Sequence, residues 1–225
     1  MYDVEGLEER DQMNFVRKVY SILTCQLAFT VAFILWVQTD ENLRIWVNKN
    51  SGWSIAAGVM AIVFMFMIVC CFSRKVPLNY ILMAAFTLCE GYLVGAVTAT
   101  YPKDVVAMAG GATALTTLAL TIYAMRTKTS IEVFVAMAFV VYLAMMPLII
   151  ISWFVGLGAL NTVYCCLGVV LYGLYLIIDT MMIVRGKGLG GRGCMMDEYC
   201  VGALLLYMDI IGMFLYLLRL FGNSR

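Results

Sequence analysis

The sequence predicts an all-α integral membrane protein with seven transmembrane helices, and three observations carry that prediction. Of its 225 residues 64% are hydrophobic and 13% charged, with a mean hydropathy of +0.93. That is far too little polar surface to coat a soluble globule. Seven apolar stretches are each near the roughly 20 residues that a helix needs to cross a hydrocarbon core about 30 Å thick. The polar segments between them are short, so no second domain is left over.

The elements follow in order. Residues 1–18, "MYDVEGLEERDQMNFVRK", form an acidic head with no basic n-region and no cleavage site. The first span, Val19–Trp36, is therefore expected to act as the insertion signal. A polar connection from Gln38 to Ser51 leads to the second span, Trp53–Phe72, and "SRKVP" to the third, Leu78–Tyr101. "YPKD" precedes the fourth, Val105–Met125, and "RTKTSIE" the fifth, Val133–Phe154. "VGLGA" precedes the sixth, Leu160–Val184, and the glycine-rich "RGKGLGGRGCMMDE" the seventh, Tyr199–Phe221. Residues 19–225 are thus read as one seven-helix domain behind the head.

Lys and Arg set the orientation. One side holds Arg10, Arg17, Lys18, Arg74, Lys75, Arg126, Lys128, Arg185, Lys187 and Arg192; the other holds Arg44, Lys49, Lys103, Arg219 and Arg225. The excess on the first side predicts a cytosolic N-terminus. A net charge of +1 without a long basic cluster gives no footing to nucleic acid. Eight cysteines with no His and no CxxC pair argue against a zinc site and are read as small core residues.

The Lys and Arg side chains sit in loops or at span ends, where they can snorkel. Three carboxylates do not: Glu90 in the third span, Asp179 in the sixth and Asp209 in the seventh. An Asp at a helix centre costs about 2.5–3.5 kcal/mol on insertion scales, so each is a candidate functional residue. Gly168, Tyr172, Tyr175 and Asp179 recur at helical steps and predict an inward face on the sixth span. Gly202, Leu205, Asp209, Gly212 and Tyr216 do the same on the seventh; Thr87, Glu90, Val94 and Thr98 make a weaker stripe on the third.

The sixth and seventh spans form an antiparallel hairpin, so their two Asp residues can meet if their depths match. Counted from the span ends, Asp179 lies about 8 Å and Asp209 about 15 Å deep, a mismatch that tilt or a longer sixth helix would close. If they meet, two carboxylates in low dielectric cannot both ionise cheaply; one proton is shared and the pair titrates as a unit, a pH sensor. With no His in the chain, carboxylates are the remaining candidates for such a switch.

The head "RDQMNFVRKVYSILTCQLAFT", the third span "PLNYILMAAFTLCEGYLVG", the sixth "LYLIIDTMMI" and the tail "DEYCVGALLLYMDIIGMFLYLLRLFG" resemble the Bax inhibitor-1 family, also called transmembrane Bax inhibitor motif proteins. The likeness is greatest to its Lifeguard and Golgi anti-apoptotic protein branch and runs almost end to end. The resemblance implies seven helices with the last wrapped by the other six. It implies a pH-sensitive calcium leak channel of intracellular membranes, endoplasmic reticulum or Golgi, that dampens cell death. It matches the family's di-aspartyl pair to Asp179 and Asp209, and offers Arg74 as the nearest candidate for a basic latch on one of those acids. The longer sixth loop departs from the bacterial pattern.

Calcium prefers oxygen, and two carboxylates with nearby hydroxyls offer it a weak, passing site at Asp179 and Asp209, as conduction requires. Glu90, Tyr175 and Thr87 are candidates for the ion path. No cofactor is expected beyond calcium as the permeant ion, and the partners are membrane lipid, calcium and other membrane regulators of cell death.

Two other classes compete. An intramembrane aspartyl protease also needs two acids sharing a proton, but "LLYMD" before Asp209 lacks that chemistry's Gly-x-Gly-Asp context, so no enzyme is expected. A non-conducting scaffold of cell-death regulators remains open at this stage. A seven-span receptor lacks its signatures, and all six Lys lie outside the spans, leaving no retinal attachment site. "GKGLGG" satisfies GxGxxG but follows a membrane helix, not a strand, and reads as a flexible loop.

Overall fold

The computed structural model describes residues 4–72, 76–155, 158–185 and 199–223. Within them lie eight α-helices: α1 (Val4–Thr39), α2 (Glu41–Lys49), α3 (Ser51–Met67, continued by a π-helical turn at Ile68–Phe72), α4 (Leu78–Thr98), α5 (Lys103–Arg126), α6 (Ile131–Val155), α7 (Gly158–Arg185) and α8 (Tyr199–Asn223). All but α2 are long and apolar enough to cross a membrane, and they coincide with the seven expected spans. The chain is an all-α, multi-pass membrane protein.

Two elements differ from the sequence expectation. The head and first span are one helix, because α1 is continuous from Val4 to Thr39. The polar segment after it is also not a plain connection. Asp40 Oδ1 accepts the backbone N–H groups of Asn42 and Leu43, at 2.9 and 3.2 Å, and so caps α2. Glu41 in the first turn and Lys49 in the last complement the helix dipole. Arg44 then ties this short helix to the end of α4, its Nε donating to Ala99 O at 2.8 Å and its Nη2 to Tyr101 O at 3.2 Å.

Burial sorts the spans. The most buried is α8, with 72% of its apolar window inside the protein, and the least is α3, with 11%. The second figure is what a lipid-facing helix requires, since hydrocarbon solvates Ile, Val and Met as well as a protein core does.

Two compact units divide the chain, one drawn from Met1–Pro102 and Ile183–Tyr207, the other from Lys103–Met182 and Met208–Arg225. In the first, α1 presents Phe15, Val19, Leu23, Gln26, Thr30, Ile34 and Val37 as one buried stripe at steps of three and four. It packs on α4 through Gly91 and Gly95, where Phe29 and Phe33 take the space that side chains would fill. This small-x-x-x-small spacing is the usual device for close helix approach in lipid. In the second unit a core of Phe134, Ala138, Met145, Leu171, Leu174, Ile177, Ile178 and Met181 joins α6 to α7.

The cysteines need a correction. Cys165 and Cys200 are buried, but Cys25, Cys70, Cys71 and Cys166 are exposed. A thiol is apolar enough to face lipid, so the burial habit learned from water-soluble proteins does not transfer.

Candidate functional site

Asp179 on α7 and Asp209 on α8 both belong to the second unit. Their meeting is set by how the two antiparallel helices interlock. The Tyr216 ring of α8 lies against Gly168 of α7, and the Tyr172 ring of α7 lies against Gly212 of α8. A Cβ built on either glycine would overlap the opposing ring. Residues 168 and 172 thus face 216 and 212; in that register Asp209 is level with Tyr175, and Asp179 lies one turn beyond Tyr175 on the same face of α7.

Their carboxyl groups are within side-chain hydrogen-bonding reach of each other. The depth mismatch counted from the span ends does not separate them.

Asp209 is 6% exposed, whereas Asp179 is only partly buried. A hydrogen bond between two carboxyl groups needs a proton on one of them, because an ionised carboxylate has only acceptors. Asp209 Oδ2 is buried and has no hydrogen-bond partner among the described residues. Tyr175 lies one turn from Asp179 on the same face of α7.

The remaining candidates fall elsewhere. Thr87 and Glu90 are buried on α4 in the first unit. Arg74 lies outside the described residues, as does the glycine-rich segment with the GxGxxG match. Around Thr87 and Glu90 the structure gathers polar side chains that sequence reading missed. Gln26 Nε2 donates to Thr87 Oγ1 at 3.0 Å and to Met83 Sδ at 3.2 Å. The hydroxyls of Thr30 and Tyr207 bond at 2.9 Å, and the Tyr207 ring meets Phe86 edge-on at 5.9 Å. Gln26 and Thr30, four apart in an apolar run, carried a signal for this cluster. Tyr207, set among leucines, carried none.

Seven long apolar helices, with two carboxylic acids on the last two, define a multi-pass integral membrane protein. Residues 12–225 match the family model described as "Inhibitor of apoptosis-promoting Bax1", and the chain belongs to this Bax inhibitor family. It is 30% identical over 218 residues to Protein lifeguard 3 of Homo sapiens, covering 94% of this chain and 69% of that one. It is 28% identical over 216 residues to Protein lifeguard 3 of Mus musculus, covering 93% and 69%. With Protein LIFEGUARD 4 of Arabidopsis thaliana it shares 28% identity over 219 residues, covering 94% and 85%.

Proposed function

We propose that this protein is a pH-sensitive calcium leak channel of an intracellular membrane, gated by Asp179 and Asp209, and that it restrains cell death through that leak. The observation that carries the reading is the contact between the two carboxyl groups in the membrane-spanning part of the chain. With one proton between them they act as a closed clasp joining α7 to α8. When that proton leaves, two like charges face each other in low dielectric, the clasp becomes repulsive and α8 is free to shift. The same ionised pair, with the free Oδ2 of Asp209 and the nearby Tyr175 hydroxyl, offers calcium a few oxygens where a tight site would use six to eight. Few ligands mean weak binding, and weak binding lets the ion leave.

The family resemblance supports the cell-death role, and the relatives' names place this chain beside lifeguard proteins. The Lys and Arg asymmetry supports a cytosolic N-terminus, and the Golgi-type likeness an endoplasmic reticulum or Golgi membrane. Glu90 and Thr87 are proposed as further stations for the ion, and Arg74 as a latch.

The test is calcium flux into liposomes holding purified chain, measured across pH. The intact protein should leak more as pH rises, and Asp209→Asn should flatten that dependence. An unchanged profile in the variant would count against the clasp. Flux no greater than in empty liposomes would favour a non-conducting scaffold.

A further inference from the structure

Four cysteine thiols are exposed among the described residues, and two of them, Cys70 and Cys71, are neighbours in the chain. Both belong to the end of α3. The outward stripe of that helix runs through Val59, Ile62, Phe66 and Cys70 at steps of three and four, every member exposed. At Ile68–Phe72 the α-helix gives way to a π-helical turn, and a turn closed by i→i+5 hydrogen bonds holds one residue more than an α-turn. Cys71 therefore follows Phe66 on the outward side together with Cys70, while Ile68 of the same turn is fully buried. The span itself ends at Phe72, so both thiols lie within about 3 Å of its end at a rise of about 1.5 Å per residue. Ser73, Arg74 and Lys75 come next in the sequence, the basic flank expected where a span meets cytosolic water.

We propose that Cys70 and Cys71 form a site of reversible S-acylation that takes long-chain fatty acyl groups from a cytosolic acyl thioester. In the transfer the Cys Sγ, having given up its proton, attacks the carbonyl carbon of the donor thioester. A new Sγ–C bond forms, the donor's C–S bond breaks, and the departing thiolate keeps that electron pair and takes up a proton. No oxidant or reductant is consumed. The inference is separate from the channel reading and holds for a conducting or a non-conducting chain.

Three features support it. A long-chain acyl thioester is polar at its carrier end and hydrocarbon along its tail, so the receiving thiol must stand at the boundary between water and lipid, where this pair stands. The product has room: α3 is the least buried span, with 11% of its apolar window inside the protein. An attached chain can turn back along Phe66, Ile62 and Val59, which already face hydrocarbon, without undoing any packing. The remaining described cysteines lack one condition or another. Cys25 is exposed but lies 13 residues inside its span from Gln12, about 20 Å along the helix. Cys166 is exposed but stands five residues from Asn161, at the end of its span remote from Arg185 and so from the basic side. Cys165 and Cys200 are buried.

The experiment isolates the full chain from eukaryotic cell membranes, blocks free thiols with a maleimide, splits thioesters with neutral hydroxylamine and labels the thiols so released. Peptide mass spectrometry then assigns the label. The intact chain should carry it on the peptide holding Cys70 and Cys71, only after hydroxylamine, with none on Cys25 or Cys166. Replacing both, Cys70→Ser with Cys71→Ser, should abolish that label and the uptake of an alkyne-tagged fatty acid fed to the cells, whereas Cys25→Ser should keep both. Complete maleimide blocking of Cys70 and Cys71, a disulfide there that only a reductant opens, or hydroxylamine-released label confined to other cysteines would overturn the proposal. Those outcomes are read on the intact chain, so they need no variant to fold. The measurement registers no ion flux: a chain that fails to leak would sink the channel reading and leave the acylation result standing, and the reverse holds equally.

Discussion

Replacing Gly95 by alanine should loosen the packing of α1 on α4, and the geometry says by how much relative to its neighbour. A Cβ at Gly95 would come within 2.6 Å of Phe33 Cε1 and 2.7 Å of Cδ1. Carbon atoms prefer separations of about 3.5–4.0 Å, so the ring or the helix must retreat by roughly 1 Å. The ring has little freedom to do so. Phe29 stacks on it at 6.4 Å, Trp36 stands edge-on at 6.1 Å and Tyr92 lies at 6.2 Å.

Overpacking of that kind costs about 1–3 kcal/mol. At Gly91 the nearest atom, Phe29 Cε1, would be 3.1 Å away, a conflict that a shift of a few tenths of an ångström relieves. The assay is unfolding in mixed detergent micelles followed by tryptophan fluorescence. Gly95→Ala should be clearly less stable than Gly91→Ala. Pairing Gly95→Ala with Phe33→Ala should recover part of the loss, giving a coupling of about 0.5–3 kcal/mol. Equal effects at the two glycines, with no coupling to Phe33, would refute the reasoning.

Other consequences follow from the same contacts. Tyr207→Phe and Thr30→Val each delete the buried 2.9 Å hydroxyl bond and should cost about 0.5–1.5 kcal/mol apiece, with the double variant little worse than either, in the same unfolding assay. Asp40→Ala removes the α2 cap and should cost about 0.5–2 kcal/mol, seen as faster amide exchange in Glu41–Lys49 while the spans keep their protection. Arg44→Ala, which releases α2 from the carbonyls of Ala99 and Tyr101, should speed exchange in the same segment.

What the sequence could disclose was whatever one helix encodes alone. The seven apolar runs mark the spans, and Asp179 and Asp209 each stand on a helical stripe with glycines, so the pair was legible before any coordinates. Its contact was not, because depth counted from span ends does not tell how the facing side chains lean, and the close approach of the two helices at Gly168 and Gly212 is defined only by the rings opposite. The α2 helix was readable from Asp40 and Glu41 as a cap signal, yet its polarity made it look like a loop. Cys25 and Cys166 face outward because lipid, unlike water, does not penalise an exposed thiol. The cluster of Gln26, Thr30, Thr87 and Tyr207 needed tertiary structure, since its members are up to 181 positions apart.

The claim on which the rest depends is that Asp179 and Asp209 hold one proton in common. Infrared difference spectroscopy of the carboxylic C=O stretch during a pH titration measures this directly. The account predicts a single carboxylic band for the pair that disappears in Asp179→Asn and equally in Asp209→Asn. Two bands titrating independently, each removed by only one of the substitutions, would contradict it.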